Sequence, residues 1–270
     1  MTNNRDRSLS DDEALLNGAV RAAGDLALSF FRSGIIGRQK ADATPVSDAD
    51  LAVDRMLHER LVGERPDYGW LSEESVDHPS RLDAVRLWIV DPIDGTRAFL
   101  AGTPEWTIAA ALVEDGQPVL GAVFNPATGE MFTARRGGGA WLNGAPISVT
   151  TREEIAGCRM IATKGFFKHK IWIAPWPATE NIWVNSIAYR LALIAAGQAD
   201  ATLSLTGKSE WDIAAAALLV EEAGGRVTNA AGAPLRYNQP TPRINGLVAA
   251  APRLHDLLVA RTKPVASKTI

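Results

Sequence analysis

The feature that most constrains the fold is an apolar run ending in two aspartates, the segment 87–96 with the sequence Leu-Trp-Ile-Val-Asp-Pro-Ile-Asp-Gly-Thr. A continuous apolar run bounded by turn residues predicts a buried strand, and Asp-Pro and Asp-Gly are turn signals. Asp91 and Asp94 are therefore expected at the end of this strand, where side chains can converge. Paired carboxylates there, with a helix N-terminus just after them, can hold hard divalent cations beside a phosphate. The run thus indicates metal-assisted phosphate chemistry.

The composition excludes several classes of protein. A chain of 270 residues can bury a large core without cross-links, and Cys158 is the only cysteine, so neither a disulfide framework nor a cysteine-based zinc site is available. Its sequence neighbours predict a buried, inert thiol. The net charge of −3, with no basic cluster beyond Arg135-Arg136, argues against a nucleic-acid polymer as partner. No stretch reaches the roughly 20 apolar residues of a membrane span, and the polar segment 1–12 lacks a signal-peptide core, so we expect a cytoplasmic protein.

Hydrophobic periodicity predicts two helices and a β-meander in the first half of the chain. Ser10 and Glu13 have the spacing of a capping box at the start of the first helix. The helices are expected over 11–33 and 48–63, and the strands over 68–71, 87–90, 106–113, 119–124, 130–133 and 140–142.

Near residue 150 the pattern changes to alternating strands and helices, which is typical of a layered α/β arrangement. The predicted strands are 159–163, 180–184, 200–205 and 245–250, and the predicted helices are 186–196, 211–223 and 252–261. We therefore expect a compact α/β (α+β) protein with an N-terminal half, 1–150, carrying most of the acidic residues. The C-terminal half, 151–270, supplies the distal Asp212.

Acidic residues recur in four segments: Thr44–Asp50, Leu71–Ser75, Asp91–Thr96 and Glu210–Asp212. Each segment alone has an ordinary explanation. Asp91 and Asp94 could be turn or cap residues, Asp212 an N-cap, Asp48 and Asp50 first-turn helix acids, and Glu73 and Glu74 solvated loop charges. The four histidines are scattered without ligand spacing, which argues against a histidine phosphoenzyme or a zinc hydrolase.

Together, in this order, the segments resemble the inositol monophosphatase family of magnesium-dependent, lithium-sensitive phosphomonoesterases. Two signatures carry the resemblance: Trp88-Ile-Val-Asp-Pro-Ile-Asp-Gly-Thr96, and Trp211-Asp-Ile-Ala-Ala-Ala216 leading into Glu222-Ala-Gly-Gly225. The resemblance covers nearly the whole chain and implies the layered αβαβα sugar-phosphatase fold. It also implies two or three Mg²⁺ ions and, from the family alone, a homodimer.

The resemblance assigns roles residue by residue. It implies that the metal ligands are Glu73, Asp91, Asp94, Asp212 and the backbone carbonyl of Ile93. Thr96, backed by Asp50, and Glu73 would orient the attacking water, and the N–H groups of Gly95 and Thr96 would receive phosphate oxygens. Magnesium prefers such oxygen ligands in octahedral geometry.

The substrate is expected to be a small-molecule phosphate monoester. Inositol-preferring relatives carry an acidic residue seven positions before the distal aspartate, where this chain has Leu205. The stretches 40–50, 70–74 and 234–237 look more like the 3'(2'),5'-bisphosphate nucleotidase branch. There Ser186 and Arg190 are candidate contacts for a second phosphate, although Arg190 could equally be a helix-surface charge.

Three alternatives stay open from the sequence. Inositol-1-monophosphatase and then histidinol-phosphatase follow the nucleotidase as substrate assignments. A protein that kept the fold as a non-catalytic metal- or phosphate-binding regulator is the alternative of a different class. The segment with Trp172, Trp176 and Trp183 is expected to serve core or dimer packing rather than ligand stacking.

Overall fold

The computed structural model describes residues 8–34, 38–39, 45–163, 166–168 and 170–266. Within them the α-helices are α1 (Leu9–Ser33), α2 (Asp48–Glu64), α3 (Thr96–Leu100), α4 (Ile187–Ala195), α5 (Glu210–Glu222) and α6 (Pro252–Thr262). Short 3-10 helices cover Pro79–Asp83, Phe166–Lys168 and Lys263–Val265. None of the helices in these ranges is long and apolar enough to cross a membrane.

The strands form two main sheets and two small ribbons. The first sheet is seven-stranded in the order β3 (Gly69–Ser72), β4 (Arg86–Asp94), β5 (Thr107–Glu114), β6 (Gln117–Asn125), β7 (Glu130–Arg135), β8 (Gly139–Leu142), β9 (Ala145–Pro146). The second is five-stranded in the order β11 (Glu180–Ile182), β10 (Arg159–Ile161), β12 (Ala201–Ser204), β16 (Leu247–Ala250), β14 (Arg226–Thr228). The ribbons pair β1 (Arg38–Gln39) with β2 (Pro45–Val46), and β13 (Lys208–Ser209) with β15 (Arg243–Ile244).

Helices and sheets alternate in five layers. Helices α1 and α2 pack on one face of the seven-stranded sheet, and α4 and α5 cover its other face. Helices α4 and α5 also contact the five-stranded sheet, whose outer face is covered by α6. This arrangement confirms the layered αβαβα fold expected from the resemblance.

Most helices and strands lie within a few residues of their predicted positions, but the first cap is different. Ser8 precedes α1, and its hydroxyl accepts a hydrogen bond from the Ser10 backbone N–H, so the prediction that Ser10 caps this helix is wrong. The small ribbons were not predicted either, because strands of two residues carry no periodicity. The boundary near residue 150 stays a prediction, and residues 40–44 of the nucleotidase-like stretch lie outside the described residues.

A buried ionic cluster fixes the start of β4. Asp12 on α1 accepts hydrogen bonds from Arg65 Nε at 2.6 Å, the Tyr68 hydroxyl at 2.8 Å and Arg86 Nη1 at 3.0 Å. Both oxygens of this fully buried carboxylate are therefore satisfied, as a buried charge requires. The cluster joins two helices to the strand that carries the paired aspartates.

The opposite face of the sheet brings α5 very close. A Cβ at Gly121 of β6 would lie 2.6 Å from the Ala215 carbonyl oxygen, so only glycine permits this approach. The alanines at positions 214–217 are buried and small enough for the helix to lie against the strands. This packing directs the N-terminus of α5, with Asp212, toward the end of β4.

Candidate active site

The end of β4 is bent so that two aspartates three residues apart can serve one site. Every residue of β4 is buried, and its pairing with β5 shifts register between Asp91, opposite Ala109, and Asp94, opposite Thr107. Such an irregularity re-aims side chains at a strand end. Asp91 Oδ1 also accepts the Ile93 backbone N–H at 3.1 Å, which closes the turn around Pro92.

Three acidic side chains from distant parts of the chain meet at this point. Glu73, Asp91 and Asp212 each offer one carboxylate oxygen, and these oxygens lie within 4.8 Å of one another. Oxygens bound at about 2.1 Å in an octahedral site lie roughly 3–4 Å apart, so small side-chain movements would bring the three around one ion. Because all three donors are carboxylates, the site suits a hard cation such as Mg²⁺ or Mn²⁺ rather than a soft metal.

Asp94 lies beside these three carboxylates, and its own carboxylate is fixed by donors from the start of α4. Its Oδ2 accepts hydrogen bonds from Ser186 Oγ at 2.6 Å and from the Ala188 backbone N–H at 2.5 Å. Both donors belong to the N-terminal turn of α4, where Ser186 is the N-cap residue. The first turn of α4 therefore fixes the orientation of this carboxylate.

The electrostatics of the cluster favour a bound cation. Burial, with the charges of Glu73, Asp94 and Asp212 added to it, raises the pKa of Asp91 well above its usual range. Burial raises the pKa of Asp94 to about 6, and burial together with Asp94 raises that of Asp212 to about 7. A divalent cation would relieve both the burial penalty and the mutual repulsion.

The predicted water-orienting pair is also assembled. Thr96 Oγ1 lies 3.3 Å from Asp50 Oδ1 and 3.1 Å from the Ile93 carbonyl oxygen, so its proton has two acceptors at hand. Asp50 is fixed at the start of α2, where its Oδ2 accepts from the Ser47 backbone N–H at 2.7 Å and from the Ser47 hydroxyl at 2.6 Å. The structure thus brings Thr96 next to Asp50, while their catalytic roles stay a proposal.

Gly95 occupies a position that only glycine fits. Its φ is +96°, and a Cβ there would lie 2.7 Å from the Glu105 carbonyl oxygen. The residue links β4 to α3, which begins at Thr96. The predicted contact of the Gly95 and Thr96 N–H groups with phosphate stays a prediction.

The two predicted substrate contacts face inward. Ser186 is fully buried, and its hydroxyl donates to Asp94 and accepts from the Tyr189 N–H at 2.9 Å. Arg190 is also buried, so the alternative of a surface charge is wrong, and its Nε donates to the Val184 carbonyl at 2.8 Å. Burial lowers the pKa of Arg190, while the neighbouring Asp94 raises it. In this geometry Ser186 supports a carboxylate rather than reaching toward a second phosphate.

No sequence pattern pointed to Lys208, a cation that the structure places within electrostatic range of Asp212. Lys208, on β13, is half-buried and its Nζ donates to Thr206 Oγ1 at 3.2 Å. Burial lowers the pKa of Lys208, and the nearby carboxylate of Asp212 raises it. The positive charges of Arg190 and Arg243 lower the pKa further, so both arginines lie within electrostatic range of Lys208. Arg243 is exposed, and its Nη2 lies 3.2 Å from where a Cβ at Gly207 would stand. The pairing of β13 with β15 sets Lys208 opposite Ile244 and Ser209 opposite Arg243, and no local pattern could predict this contact between distant segments.

Cys158, the tryptophans of the segment 172–183 and the described histidines contribute no atom to the acidic cluster. Cys158 is buried, and burial raises the pKa of its thiol to about 11, in agreement with an inert residue. Trp172 and Trp176 pack edge to face against the core with ring centroids 4.9 Å apart, whereas Trp183 is 56% exposed. His58 and His78 are exposed, His255 is buried against Thr228, and His169 lies outside the described residues.

Comparison with known proteins agrees with the geometry. An acidic oxygen cluster at the strand end of a five-layered fold defines a metal-dependent phosphatase class, and the model of the inositol monophosphatase family matches residues 9–266. The chain belongs to this family, whose members hydrolyse phosphate monoesters. It is therefore an enzyme, a metal-dependent phosphoric monoester hydrolase.

Relatives with three different substrates are similarly close. An inositol-1-monophosphatase of Rhizobium meliloti is 37% identical over 81% of this chain and 86% of its own length. A histidinol-phosphatase of Chlorobaculum parvum is 34% identical, covering 80% and 85%. The 3'(2'),5'-bisphosphate nucleotidase CysQ of Aggregatibacter actinomycetemcomitans is 30% identical, covering 84% and 87%. Among solved structures, an inositol monophosphatase from Thermotoga maritima superposes with a TM-score of 0.82 at 27% identity, covering 96% of this chain and 99% of that one.

Proposed function

We propose that this enzyme is a Mg²⁺-dependent phosphatase of 3'(2'),5'-bisphosphate nucleotides. The observation that carries the proposal is the charge around the acidic cluster: Arg190 lies within electrostatic range of Asp94, and Lys208 within range of Asp212 and Arg243. Position 205 holds a buried leucine. A leucine cannot accept hydrogen bonds from sugar hydroxyls, whereas cationic side chains attract a second phosphate. The stretch 234–237 that resembles the nucleotidase branch supports the same assignment.

In the proposed mechanism the protein orients a water for in-line attack on the phosphate. When bound, magnesium ions supply a lowered water pKa and neutralise charge on the phosphate and leaving oxygens. Glu73, Asp91, Asp94, Asp212 and the Ile93 carbonyl would hold two or three ions. Thr96 accepts one proton from the water while its own proton goes to Asp50, and Glu73 orients the water by accepting a hydrogen bond from the second O–H, which stays on the product phosphate. The leaving oxygen takes up a proton from solvent. The N–H groups of Gly95 and Thr96 hold the phosphate oxygens.

Metal dependence is tested directly with Asp94→Asn. The amide keeps an oxygen for the Ser186 and Ala188 donors but removes the charge, so we expect an intact fold and loss of magnesium-dependent turnover. Phosphate release is measured across a magnesium titration. Near-wild-type activity of this variant would refute the ligand assignment, and a wild-type protein without turnover of any ester would favour the non-catalytic regulator.

Substrate preference is tested with a phosphate-release panel. The panel contains 3'-phosphoadenosine 5'-phosphate, 3'-AMP, inositol-1-phosphate, histidinol phosphate and fructose-1,6-bisphosphate. We expect the highest kcat/KM for 3'-phosphoadenosine 5'-phosphate. In Arg243→Ala, kcat/KM should fall more for this substrate than for 3'-AMP, because only 3'-phosphoadenosine 5'-phosphate has a second phosphate. Arg253→Ala, an exposed arginine on α6, is the matched control. A strong preference for inositol-1-phosphate or histidinol phosphate would replace the proposal with that alternative.

Three further properties are proposed from family resemblance and composition. We expect inhibition by lithium ions, a homodimer, and a cytoplasmic location without nucleic-acid or membrane partners. Sedimentation of the purified protein tests the dimer, and a lithium titration of the phosphatase assay tests inhibition.

A further inference from the structure

Asp54 binds both ends of the turn that carries Glu73. This aspartate lies on α2, one helical turn after Asp50, and is 9% exposed. Its Oδ1 accepts a hydrogen bond from Ser72 Oγ at 2.5 Å, and its Oδ2 accepts one from Ser75 Oγ at 2.6 Å. The two serines enclose Glu73 and Glu74, so one carboxylate closes the turn on both sides.

Both serine hydroxyls are engaged twice. Ser75 Oγ also accepts the Trp70 indole N–H at 3.2 Å, and Ser72 Oγ accepts the Glu74 backbone N–H at 3.4 Å. The backbone N–H of Glu73 reaches the Val90 carbonyl of β4 at 3.4 Å, a long hydrogen bond. Charge-assisted hydrogen bonds are shorter and stronger than neutral ones, so the two to Asp54 dominate the geometry of this turn.

The same helix also positions Thr96, the other water-orienting residue, through Asp50. Asp50 and Asp54 are four residues apart and therefore lie on one face of α2. Asp50 contacts Thr96, and Asp54 contacts the serines on either side of Glu73. A single rigid element thus sets the position of Glu73 relative to Thr96.

We propose that Asp54 is a positioning residue for the reaction, which fixes Glu73 for metal binding and for water orientation through Ser72 and Ser75. The inference rests on the proposed magnesium-dependent function. Glu73 is one of three carboxylates whose oxygens must meet at a single ion, and a shift of about 1 Å at such a site can cost about 100-fold in rate. Partners behind metal ligands commonly change metal affinity or activity by about 10- to 100-fold when they are removed.

The test compares Asp54→Asn with the wild-type chain. An asparagine side chain has no charge and only one acceptor oxygen, so neither serine keeps a charge-assisted hydrogen bond and the serine that faces the amide NH₂ can no longer donate to residue 54. We expect kcat to fall about 10- to 100-fold with KM within about threefold, and the magnesium dissociation constant from calorimetry to rise about tenfold. In the metal-free protein, hydrogen exchange of the amides at 72–76 should accelerate while that of α5 stays unchanged. Asp256→Asn is the control, since Asp256 is an exposed acid bonded to Arg226.

Serine variants separate positioning from simple destabilisation. Ser75→Ala, the milder change, should show part of the same loss, and the combined loss of Asp54→Asn and Ser75→Ala should be smaller than the sum of the two single losses, because both variants disturb the same contact. A normal magnesium affinity in Asp54→Asn, or a lowered melting temperature with unchanged affinity and exchange at 72–76, would overturn the proposal. If the wild-type protein binds magnesium but turns over no ester, the proposed function fails while affinity and exchange still test Asp54. If Asp54→Asn does not fold, a normal affinity in Ser75→Ala overturns the inference.

Discussion

Replacing Asp212 by asparagine should stabilise the metal-free enzyme while removing its magnesium response. The Asp212 carboxylate lies beside Glu73 and Asp91, and burial together with Asp94 raises its pKa to about 7. Its Oδ2 also accepts the Ser209 N–H at 2.9 Å in a capping box at the start of α5. Asparagine keeps an oxygen for this cap but removes the charge that the site disfavours.

The magnitude follows from the pKa. A shift from 3.8 to about 7 is about three pKa units, or about 4 kcal/mol at 1.36 kcal/mol per unit. Since the Asp212 side chain is partly exposed, water screens part of this penalty, and we expect about 2 kcal/mol at pH 8. For a chain of this size that corresponds to a melting temperature roughly 4–8 °C higher in the variant.

The sign of the pH dependence is opposite to that of a salt-bridged aspartate. Because the folded-state pKa is raised, the folded protein holds a proton that the unfolded chain releases between about pH 4 and pH 7. Wild-type stability from this group is therefore greatest below pH 4 and is lost as the pH rises toward 7. The advantage of Asp212→Asn should fall to less than half on going from pH 8 to pH 5.

The assay is thermal unfolding in a chelator at pH 5 and pH 8, repeated with saturating magnesium. At about 100 times its dissociation constant, magnesium adds roughly 2.7 kcal/mol to the wild type, and we expect the variant to gain far less. The reasoning is refuted if metal-free Asp212→Asn is less stable than the wild type at pH 8, or if its advantage does not depend on pH.

Three other perturbations have outcomes set by the geometry. Gly95→Ala should lower the free energy of unfolding by about 3 kcal/mol in urea titrations and abolish turnover, because a Cβ would lie 2.7 Å from the Glu105 carbonyl oxygen at a φ of +96°. Glu210→Gln should lower the free energy of unfolding by about 2 kcal/mol in the same titration, because an amide NH₂ would face a backbone N–H donor. The buried Glu210 carboxylate accepts the backbone N–H groups of residues 238 and 239 at 2.7 and 2.9 Å. Cys158 should react with a coloured thiol reagent at pH 8 only after unfolding, because burial raises its pKa to about 11, and fast labelling of the folded protein would contradict this.

Local sequence was sufficient for the elements that present most of the acidic ligands. The apolar run into Asp91 and Asp94 predicted β4, and the residue pattern predicted helices over 48–63 and 211–223, where α2 and α5 lie, because these signals act within a few residues. The meeting of Glu73, Asp91 and Asp212 was expected from family resemblance, and the structure places them together. Their distances could not be derived from spacing alone.

What the sequence determined by itself is the chemistry available: hard oxygen ligands, a glycine at the tight turn after β4, and a leucine where an acid would bind sugar hydroxyls. Tertiary structure decided which side chains contact one another at the site. It turned Ser186 and Arg190 inward, paired the short strands that carry Lys208 and Arg243, and joined Asp54 to the serines around Glu73. These contacts depend on burial and strand register between residues far apart in the chain, and periodicity within one segment carries no information about either.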